Sequence, residues 1–336
     1  MSMLRRIRDL ALLSVLLVGV GRPLRAQNPD LLLTREQRDS ILATYDNIFP
    51  IWGRQAIERG FELPRPLGIN LIGVYVDQGI EINNLGLSTG NDPTVPISAI
   101  TFGNSQSQIG TLNLRGDLWV LPFLNVYGMV GLAQANTTVE VATPVAFTSS
   151  VDQGGRYLGL GLTGAFGIKR NFAVVDVNWA WSDLEKLDDP VRSRVLSMRL
   201  GRAIRLGGPR RLSVWAGTMN VKFKTETQGS ILLSEAIPPG TVERIRGNLE
   251  SIDTTQWYQD LGPIQQVVVD TLVSRLLSGN AGNTTVNYYL DKAPSTPWNM
   301  LLGANFDFNR RWSIRSEVGF IGRVSALLNL VYRLDL

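Results

Sequence analysis

Hydrophobic and polar residues alternate along most of the chain after residue 66. In residues 111–120, for example, Leu112 and Leu114 lie on one face, and Arg115 and Asp117 lie on the other. Successive side chains of a β-strand point to opposite sides, so this pattern predicts a strand with one apolar face and one charged face.

The same period of two recurs in ten segments, at residues 67–78, 111–120, 124–132, 158–166, 173–181, 196–200, 212–224, 298–308, 312–320 and 328–336. The connections after the second, fourth, sixth and eighth segments are short. Three others are long, at residues 79–108, 135–154 and 225–296. An even strand number, short turns on one side and long loops on the other are typical of single-chain outer-membrane barrels. Residues 66–336 are therefore predicted to form an all-β, transmembrane, antiparallel up-and-down barrel of about ten strands.

The composition of the two faces favours a membrane barrel over a soluble one. In a soluble barrel the polar side faces solvent, whereas here that side carries opposite charges among small residues, as a narrow interior requires. The predicted lumen charge network consists of Arg115, Asp117, Asp176, Arg199, Asp307, Arg315, Glu317, Arg333 and Asp335.

Aromatic residues lie near the ends of the apolar faces. They are candidates for the girdles that flank the apolar band of such barrels: Trp179, Trp181, Phe306, Phe308, Trp312 and Tyr332. The alternative interpretation is a row of ordinary core aromatics.

The N-terminus predicts export. Arg5, Arg6 and Arg8 precede an apolar run at residues 10–20, and small residues follow near Ala26, which is the form of a cleaved signal peptide over residues 1–26. Residues 27–65 are predicted to be partly helical, because Thr34 and Gln37 have the spacing of a capping box. This segment is either a periplasmic arm or a plug in the lumen.

Composition narrows the possible chemistry. The chain has no cysteine and no histidine, which excludes thiolate and imidazole catalysis and their metal sites. Removing the five arginines and one aspartate of residues 1–26 leaves 28 basic and 28 acidic residues, so a nucleic-acid partner is not expected. We expect no cofactor and no metal.

The insert at 225–296 is the least regular part. Residues 241–252 and 260–278 are predicted to be helical, and the second of these has an apolar stripe: Ile264, Val267, Val268, Leu272 and Leu276. A loop of this length usually either has a function or is disordered.

The last strand resembles the C-terminal strand of bacterial outer-membrane barrels, which the insertion machinery recognises by alternating apolar positions. Here these are Leu330, Tyr332, Leu334 and Leu336. The usual final residue is Phe or Trp, and Leu336 departs from that. Residues 118–128 also resemble a stretch of uncharacterised Gram-negative outer-membrane proteins. The resemblance implies the barrel assembly machinery and outer-membrane lipid as partners.

Three functions follow as hypotheses, in this order. The first is a structural or surface-interaction barrel with a lumen largely closed by charge pairs and an unknown extracellular ligand. The second is a porin-like channel for small solutes or hydrophobic ligands, gated by the N-terminal segment or the 225–296 loop. The third is a carboxylate-based hydrolase, which is disfavoured because lumen acids beside Arg115 and Arg315 are expected to be ion-pair partners.

Overall fold

The computed structural model describes residues 33–90, 92–97, 100–224, 226–237 and 240–336. The predicted signal peptide at 1–26 lies outside them. The strands are β1 (Leu67–Thr89), β2 (Val95–Pro96), β3 (Thr101–Phe102), β4 (Ser105–Leu121), β5 (Leu124–Thr143), β6 (Phe147–Ile168), β7 (Asn171–Leu184), β8 (Val191–Arg205), β9 (Arg211–Phe223), β10 (Glu226–Leu232), β11 (Thr285–Pro294), β12 (Trp298–Asp307), β13 (Trp312–Phe320) and β14 (Arg323–Leu334). The helices are α1 (Arg35–Thr44), α2 (Gly53–Glu58), α3 (Leu233–Ala236), α4 (Thr241–Glu250), α5 (Gln256–Gln259) and α6 (Pro263–Leu277), with 3₁₀ turns at Ile252–Thr254 and Ala281–Asn283.

Ten antiparallel strands close into a barrel in the order β1, β4, β5, β6, β7, β8, β9, β12, β13 and β14. Closure is made by β14 on β1, from Leu67 opposite Leu334 to Gln78 opposite Arg323. The predicted ten-strand, up-and-down barrel is therefore confirmed.

The outside of the barrel is apolar. The inside is largely polar at the level where all ten strands form the ring. Leu112, Leu114, Leu158 and Leu160 are exposed on the outside, whereas Asp117 on an inward position is buried. In water this arrangement would expose a wide hydrophobic belt, and in a bilayer the belt contacts lipid. The fold is that of a transmembrane β-barrel. None of the helices in the described part of the chain is both long and apolar enough to cross a membrane.

Two predicted loops are instead strand extensions. The pairing of β5 with β6 continues to Val141 opposite Phe147, so much of the stretch expected as a loop at 135–154 is sheet. Likewise β1 runs to Thr89, and its upper part pairs with β11. The extension of β1 does alternate, with Ile80 and Ile82 and then Leu85 and Leu87 as its apolar positions, but the register shift between Ile82 and Asn84 changes their phase. A pattern that changes phase reads as the end of a strand, which is why a loop was predicted there.

The three long connections meet at one end of the barrel, which we call the extracellular end because the short turns lie at the other. Helices α4 and α6 lie within the predicted ranges and form one apolar core with residues of the other two connections: Ile97, Val145, Leu233, Ile245, Leu249, Ile252, Leu261, Val269, Leu276 and Val286. The predicted stripe of α6 is partly wrong, because Ile264 and Val267 are 68% and 64% exposed.

The hairpin β10–β11, which we call the cap hairpin, crosses the extracellular mouth. It leaves the wall at β1, where β11 pairs with residues 80–89. Its far side meets the turn between β7 and β8, where the Asp188 amide donates to the Gln228 carbonyl oxygen at 3.0 Å. These two places lie on nearly opposite sides of the ring, so the hairpin bridges the opening.

Residues 33–66, which we call the N-terminal segment, cross the other, periplasmic mouth. Helix α1 begins with the predicted capping box between Thr34 and Gln37. Glu62 forms an ion pair with Arg205 at the end of β8 at 2.9 Å, and Arg65 pairs with Asp335 at the end of β14. Because β8 and β14 are far apart around the ring, the segment lies across the opening and is not inserted along the barrel axis.

Candidate functional site: the barrel lumen

The barrel encloses a cavity of about 1600 Å³. Its lining runs from α2 of the N-terminal segment, through inward-facing positions of the strands, to the cap hairpin. Pockets for drug-sized ligands usually measure about 300–1,000 Å³, so the lumen has room for a small molecule. The cavity has a polar periplasmic half and a mainly apolar extracellular half.

The polar half is built around Glu317 of β13. Arg199 of β8 donates to its two carboxylate oxygens, at 2.6 and 2.8 Å. The indole of Trp215 donates to Oε2 at 2.7 Å, and Arg315 donates to the same oxygen at 3.1 Å. The guanidinium of Arg315 also lies 4.9 Å from the centre of the Trp215 ring. Two cations and an indole therefore satisfy one buried carboxylate.

A second group of contacts is built around Asp117 of β4. Asn70 and Asn125 each donate to its carboxylate at 2.6 Å, and Arg333 donates at 3.2 Å. These donors come from β1, β5 and β14, so the carboxylate joins four neighbouring strands.

Tyr127 connects this group to Asp176 of β7. Its hydroxyl donates to Asp176 at 3.1 Å, and Thr163 donates to the same carboxylate at 2.6 Å. The guanidinium of Arg115 stacks on the Tyr127 ring at 3.5 Å. A Cβ at Gly161 would lie 2.2 Å from the ring of Tyr127, which is why that strand position has no side chain.

These contacts form a layer that we call the polar floor. It consists of Asn70, Arg115, Asp117, Asn125, Tyr127, Thr163, Asp176, Ser197, Arg199, Arg211, Trp215, Asp307, Arg315, Glu317 and Arg333. All ten barrel strands contribute to it. Interlocked ion pairs and amides of this kind narrow the lumen at this level and satisfy its buried charges.

The predicted charge network needs two corrections. The exposed carboxylate of Asp335 lies outside the lumen, where it pairs with Arg65, because β14 ends at Leu334. Arg333 instead pairs with Asp117. Most of the ion pairs in the lumen join residues of different strands and not neighbours along one strand. The reason is that side chains from several strands project into the same space.

Seven floor residues are missing from the predicted set, namely Asn70, Asn125, Tyr127, Thr163, Ser197, Arg211 and Trp215. Arg211 pairs with Asp307 at 2.8 Å. Tyr127 and Trp215 occupy inward positions in the period of two. The alternation in each strand could have identified these residues as lumen-facing. Their aromatic character by itself could not, because aromatic residues are equally typical of girdles.

Above the floor, aliphatic and aromatic side chains make up the larger part of the lining, beside neutral polar ones such as Gln78, Thr137 and Gln153. The aliphatic and aromatic side chains come from most of the strands: Ile72, Val74, Val76, Ile80, Ile109, Met129, Leu184, Val191, Val195, Met219, Val221, Phe223 and Leu327. Alanine occupies positions 133, 135 and 180, which leaves open space at the centre. This half has the composition of a pocket for an apolar molecule.

Two charged side chains line the extracellular half among the described residues, and both are basic. Arg323 is 3% exposed and donates to the neutral amide oxygens of Gln78 and Asn299, at 3.4 and 2.8 Å. The buried Nε of Arg323 has no partner among the described residues. Lys292 of the cap hairpin also lines the cavity, and burial lowers the pKa of its ammonium group.

The cap hairpin is held over the mouth by polar contacts. The Tyr288 hydroxyl donates to the Lys186 carbonyl oxygen at 3.0 Å, and Lys186 forms an ion pair with Glu235 at 2.5 Å. Burial and the nearby Asp188 carboxylate raise the pKa of Tyr288 to about 12, which keeps this donor protonated. These contacts join the hairpin to the turn between β7 and β8.

The predicted girdle residues all lie on outward positions of the barrel strands. Trp179 and Trp181 lie toward the extracellular end, and the other four lie toward the periplasmic end, where the Trp312 and Tyr332 rings are 4.7 Å apart and Phe306 and Phe308 are 4.9 Å apart. Trp298, which was not predicted for the girdle, is also exposed at the extracellular end of β12. In the last strand, Leu330 is exposed on the outside, and the amide of Leu336 donates to Asn47 at 3.2 Å.

No protein-family model matches the chain, and no curated protein matches it. Among solved structures, it is similar to the β-domain of the Bordetella autotransporter Brka, with 9% identity and a TM-score of 0.37 over 80% of this chain and 100% of that one. It is similar to the outer-membrane protein OprG from Pseudomonas aeruginosa, with 11% identity and a TM-score of 0.35 over 81% and 98% of the two chains. The toluene transporter TbuX from Ralstonia pickettii gives 11% identity and a TM-score of 0.28 over 93% and 100%. Scores this low carry no information on function, which we infer from the geometry of this chain.

Proposed function

We propose that this protein is an outer-membrane barrel that takes small apolar molecules from the extracellular side into its lumen. The observation that carries the proposal is the cavity of about 1600 Å³, with an apolar upper half above a polar floor. This is the hydrophobic-ligand alternative of the channel hypothesis. It differs from a lumen largely closed by charge pairs, because those pairs occupy the periplasmic half only.

An open aqueous pore is a weaker explanation. The polar floor narrows the lumen at one level, and the N-terminal segment lies across the mouth below it. A solute that moves through water would meet both, whereas an apolar molecule gains free energy by leaving water for the upper half of the lumen.

The proposal includes the location and the partners. The chain is exported by its signal peptide, which is then cleaved, and the barrel assembly machinery inserts it into the outer membrane, where Leu112 and similar side chains contact lipid. Glu317, Asp307 and Asp117 pair with arginines, and Asp176 accepts from Tyr127 and Thr163, so no enzymatic reaction is proposed. No cofactor or nucleic acid takes part.

A surface-interaction role is the second candidate. Ile264 and Val267 are one turn apart on α6, and both are exposed at the extracellular end. Two large aliphatic side chains on one exposed helix face are suited to contact with another protein. This candidate predicts binding through α6 that does not depend on the lumen.

Methionines on both sides of the wall provide the test. Met129 and Met219 line the lumen, whereas Met198 and Met300 are exposed on the lipid side. Benzophenone is a neutral apolar molecule that labels nearby methionines under ultraviolet light. The refolded protein in lipid nanodiscs is irradiated with increasing benzophenone, and labelled peptides are quantified by mass spectrometry.

We expect saturable labelling of Met129 and Met219 at concentrations where labelling of Met198 and Met300 still rises linearly. The cavity-filling substitutions Ala133→Phe and Ala180→Phe should abolish the lumen labelling. Ala216→Phe, at an exposed outward position, should leave it unchanged. Labelling confined to Met198 and Met300 in a folded barrel would overturn the proposal.

A further inference from the structure

We propose that the upper lumen binds an amphiphile with a single apolar chain and an anionic head group, and that Lys292 and Arg323 hold the head. This inference rests on the proposed function and specifies the class of ligand. The apolar chain would occupy the space above the polar floor, beside residues such as Met129 and Val221.

The charge distribution of the lumen is the first argument. Among the described residues, nine basic and five acidic side chains line the cavity. The acids lie in the polar floor or, in the case of Glu62, in the N-terminal segment. The extracellular half therefore has two positive charges and no acidic side chain among the described residues to neutralise them.

The positions of the two cations are the second argument. Arg323 lies opposite Gln78 and Lys292 lies opposite Ile82, on strands that pair with the same side of β1. Residues 78 and 82 share a face of β1, so both cations project into the lumen from one part of the wall. The Cα atoms of residues 78 and 82 are about 13 Å apart, which is the length of four residues of a strand. Long flexible side chains can converge on one head group across that distance.

The unsatisfied hydrogen-bonding capacity is the third argument. The Nε of Arg323 and the Nδ2 of Asn299 are buried donors without a partner among the described residues. A buried donor left unpaired costs about 1–3 kcal/mol, and an oxygen of a bound anion would remove that cost at Arg323. A neutral hydrocarbon would leave both the donor and the charge uncompensated.

The chemistry of the two halves excludes a simple inorganic anion as the preferred ligand. A small hydrated anion would have to give up water against mostly aliphatic walls. An amphiphile instead places its charge beside Lys292 and Arg323 and its chain against those walls. The cavity volume is ample for one such chain.

The experiment compares a charged probe with a neutral one of the same shape. The probes are dodecanoic acid with a benzophenone at the end of its tail, and its methyl ester. Each is titrated onto the full mature protein in nanodiscs, and labelling of Met129 and Met219 is measured as a function of probe concentration. The variants are Lys292→Met and Arg323→Gln. The control is Lys222→Met, at an exposed position on the extracellular part of β9.

We expect the acid to reach half-maximal lumen labelling at a concentration about tenfold lower than the ester, which corresponds to one charge-assisted contact. Lys292→Met and Arg323→Gln should each reduce that ratio toward one, and Lys222→Met should preserve it. Because Arg323 is buried and its variant can fail to fold, Lys292→Met provides an independent test.

The outcomes separate this inference from the proposed function. If the acid and the ester label Met129 and Met219 equally and saturably, the anionic-head inference is wrong and uptake of apolar molecules stands. The anionic-head inference is also wrong if the ratio survives Lys292→Met in a folded protein. If neither probe labels the lumen methionines, the proposed function itself fails.

Discussion

Arg199 and Glu317 lie on strands β8 and β13, three strands apart in the barrel wall, and two hydrogen bonds of 2.6 and 2.8 Å join them inside the lumen. The contact ties together parts of the wall that do not share a backbone ladder. A Cβ at Gly303 would lie 2.4 Å from the Trp215 ring, so glycine makes room for the indole that supports the pair. The polar floor therefore braces the wall of the barrel across its lumen.

Removing one partner of this pair should destabilise the barrel strongly. Glu317→Gln leaves Arg199 as a buried cation with its main acceptor neutralised, and such losses cost about 3–5 kcal/mol. The measurement is the free energy of unfolding in urea, followed by tryptophan fluorescence and by heat-modifiable migration. Asp335→Asn, at the exposed pair outside the lumen, is the control and should change stability by less than about 1 kcal/mol.

The triple variant Arg199→Met, Arg315→Met and Glu317→Leu should recover much of that loss, because apolar replacement of a complete buried ion cluster is often neutral. If Glu317→Gln and the triple variant are equally destabilised, these ion pairs are not what holds the strands.

The barrel could be predicted from sequence because the ten wall segments all show the same period of two, with leucine and valine on one face. The side-chain partners could not, because Arg199 and Glu317 are 118 residues apart and their contact depends on closure of the ring. The placement of Asp335 in the lumen was wrong because β14 ends before it, and Arg333 reaches Asp117 on β4 instead.

The upper half of the lumen was also hidden from sequence reasoning. Apolar residues on inward positions, such as Val74 and Val195, weaken the alternation and resemble imperfect strand faces. Lys292 lies in an insert expected to be an irregular loop, so nothing in its sequence context indicated a cavity. Its place depends on the pairing of β11 with β1, which the alternation does not reveal.

Ionic conductance should require loss of both the N-terminal segment and the polar floor. The intact barrel in a planar bilayer should be silent, and removal of residues 27–61 alone should leave it silent because the floor remains. The same truncation combined with Arg199→Ser, Arg315→Ser and Glu317→Ser should give discrete openings. Openings after truncation alone would show that the N-terminal segment, and not the floor, closes the lumen.

Fixing the cap hairpin in place should slow access of ligands from outside. The chain has no cysteine, so a disulfide between Asp188→Cys and Gln228→Cys would be the only one. The backbone hydrogen bond of 3.0 Å between these residues places the two backbones in direct contact, which makes this pair the choice for an engineered disulfide. The oxidised protein should show slower benzophenone labelling of Met219, and a reductant should restore the rate.

Each single cysteine variant serves as the control for the hairpin experiment and should label at the unmodified rate under both conditions. Unchanged labelling of the oxidised double variant would mean that ligands reach the lumen by another path.

The extracellular helices should unfold separately from the barrel. Leu249 is buried in the core shared by the three long connections, and Leu249→Ala should cost that core about 2–5 kcal/mol. Limited proteolysis should then cut within residues 240–283 faster, while heat-modifiable migration still reports a folded barrel. Val267→Ala, at an exposed position of α6, should leave the cleavage rate unchanged. Loss of the barrel with Leu249→Ala would contradict this separation.

The most direct test of the central claim is to locate a bound apolar molecule in the lumen. Crystals of the refolded barrel would be soaked with 1-bromonaphthalene, and the bromine would be located by its anomalous scattering. We predict a peak above the polar floor, within contact distance of Ile109, Met129 or Val221. Peaks found only on the lipid-facing surface, with the lumen empty at a saturating concentration, would contradict the uptake of apolar molecules.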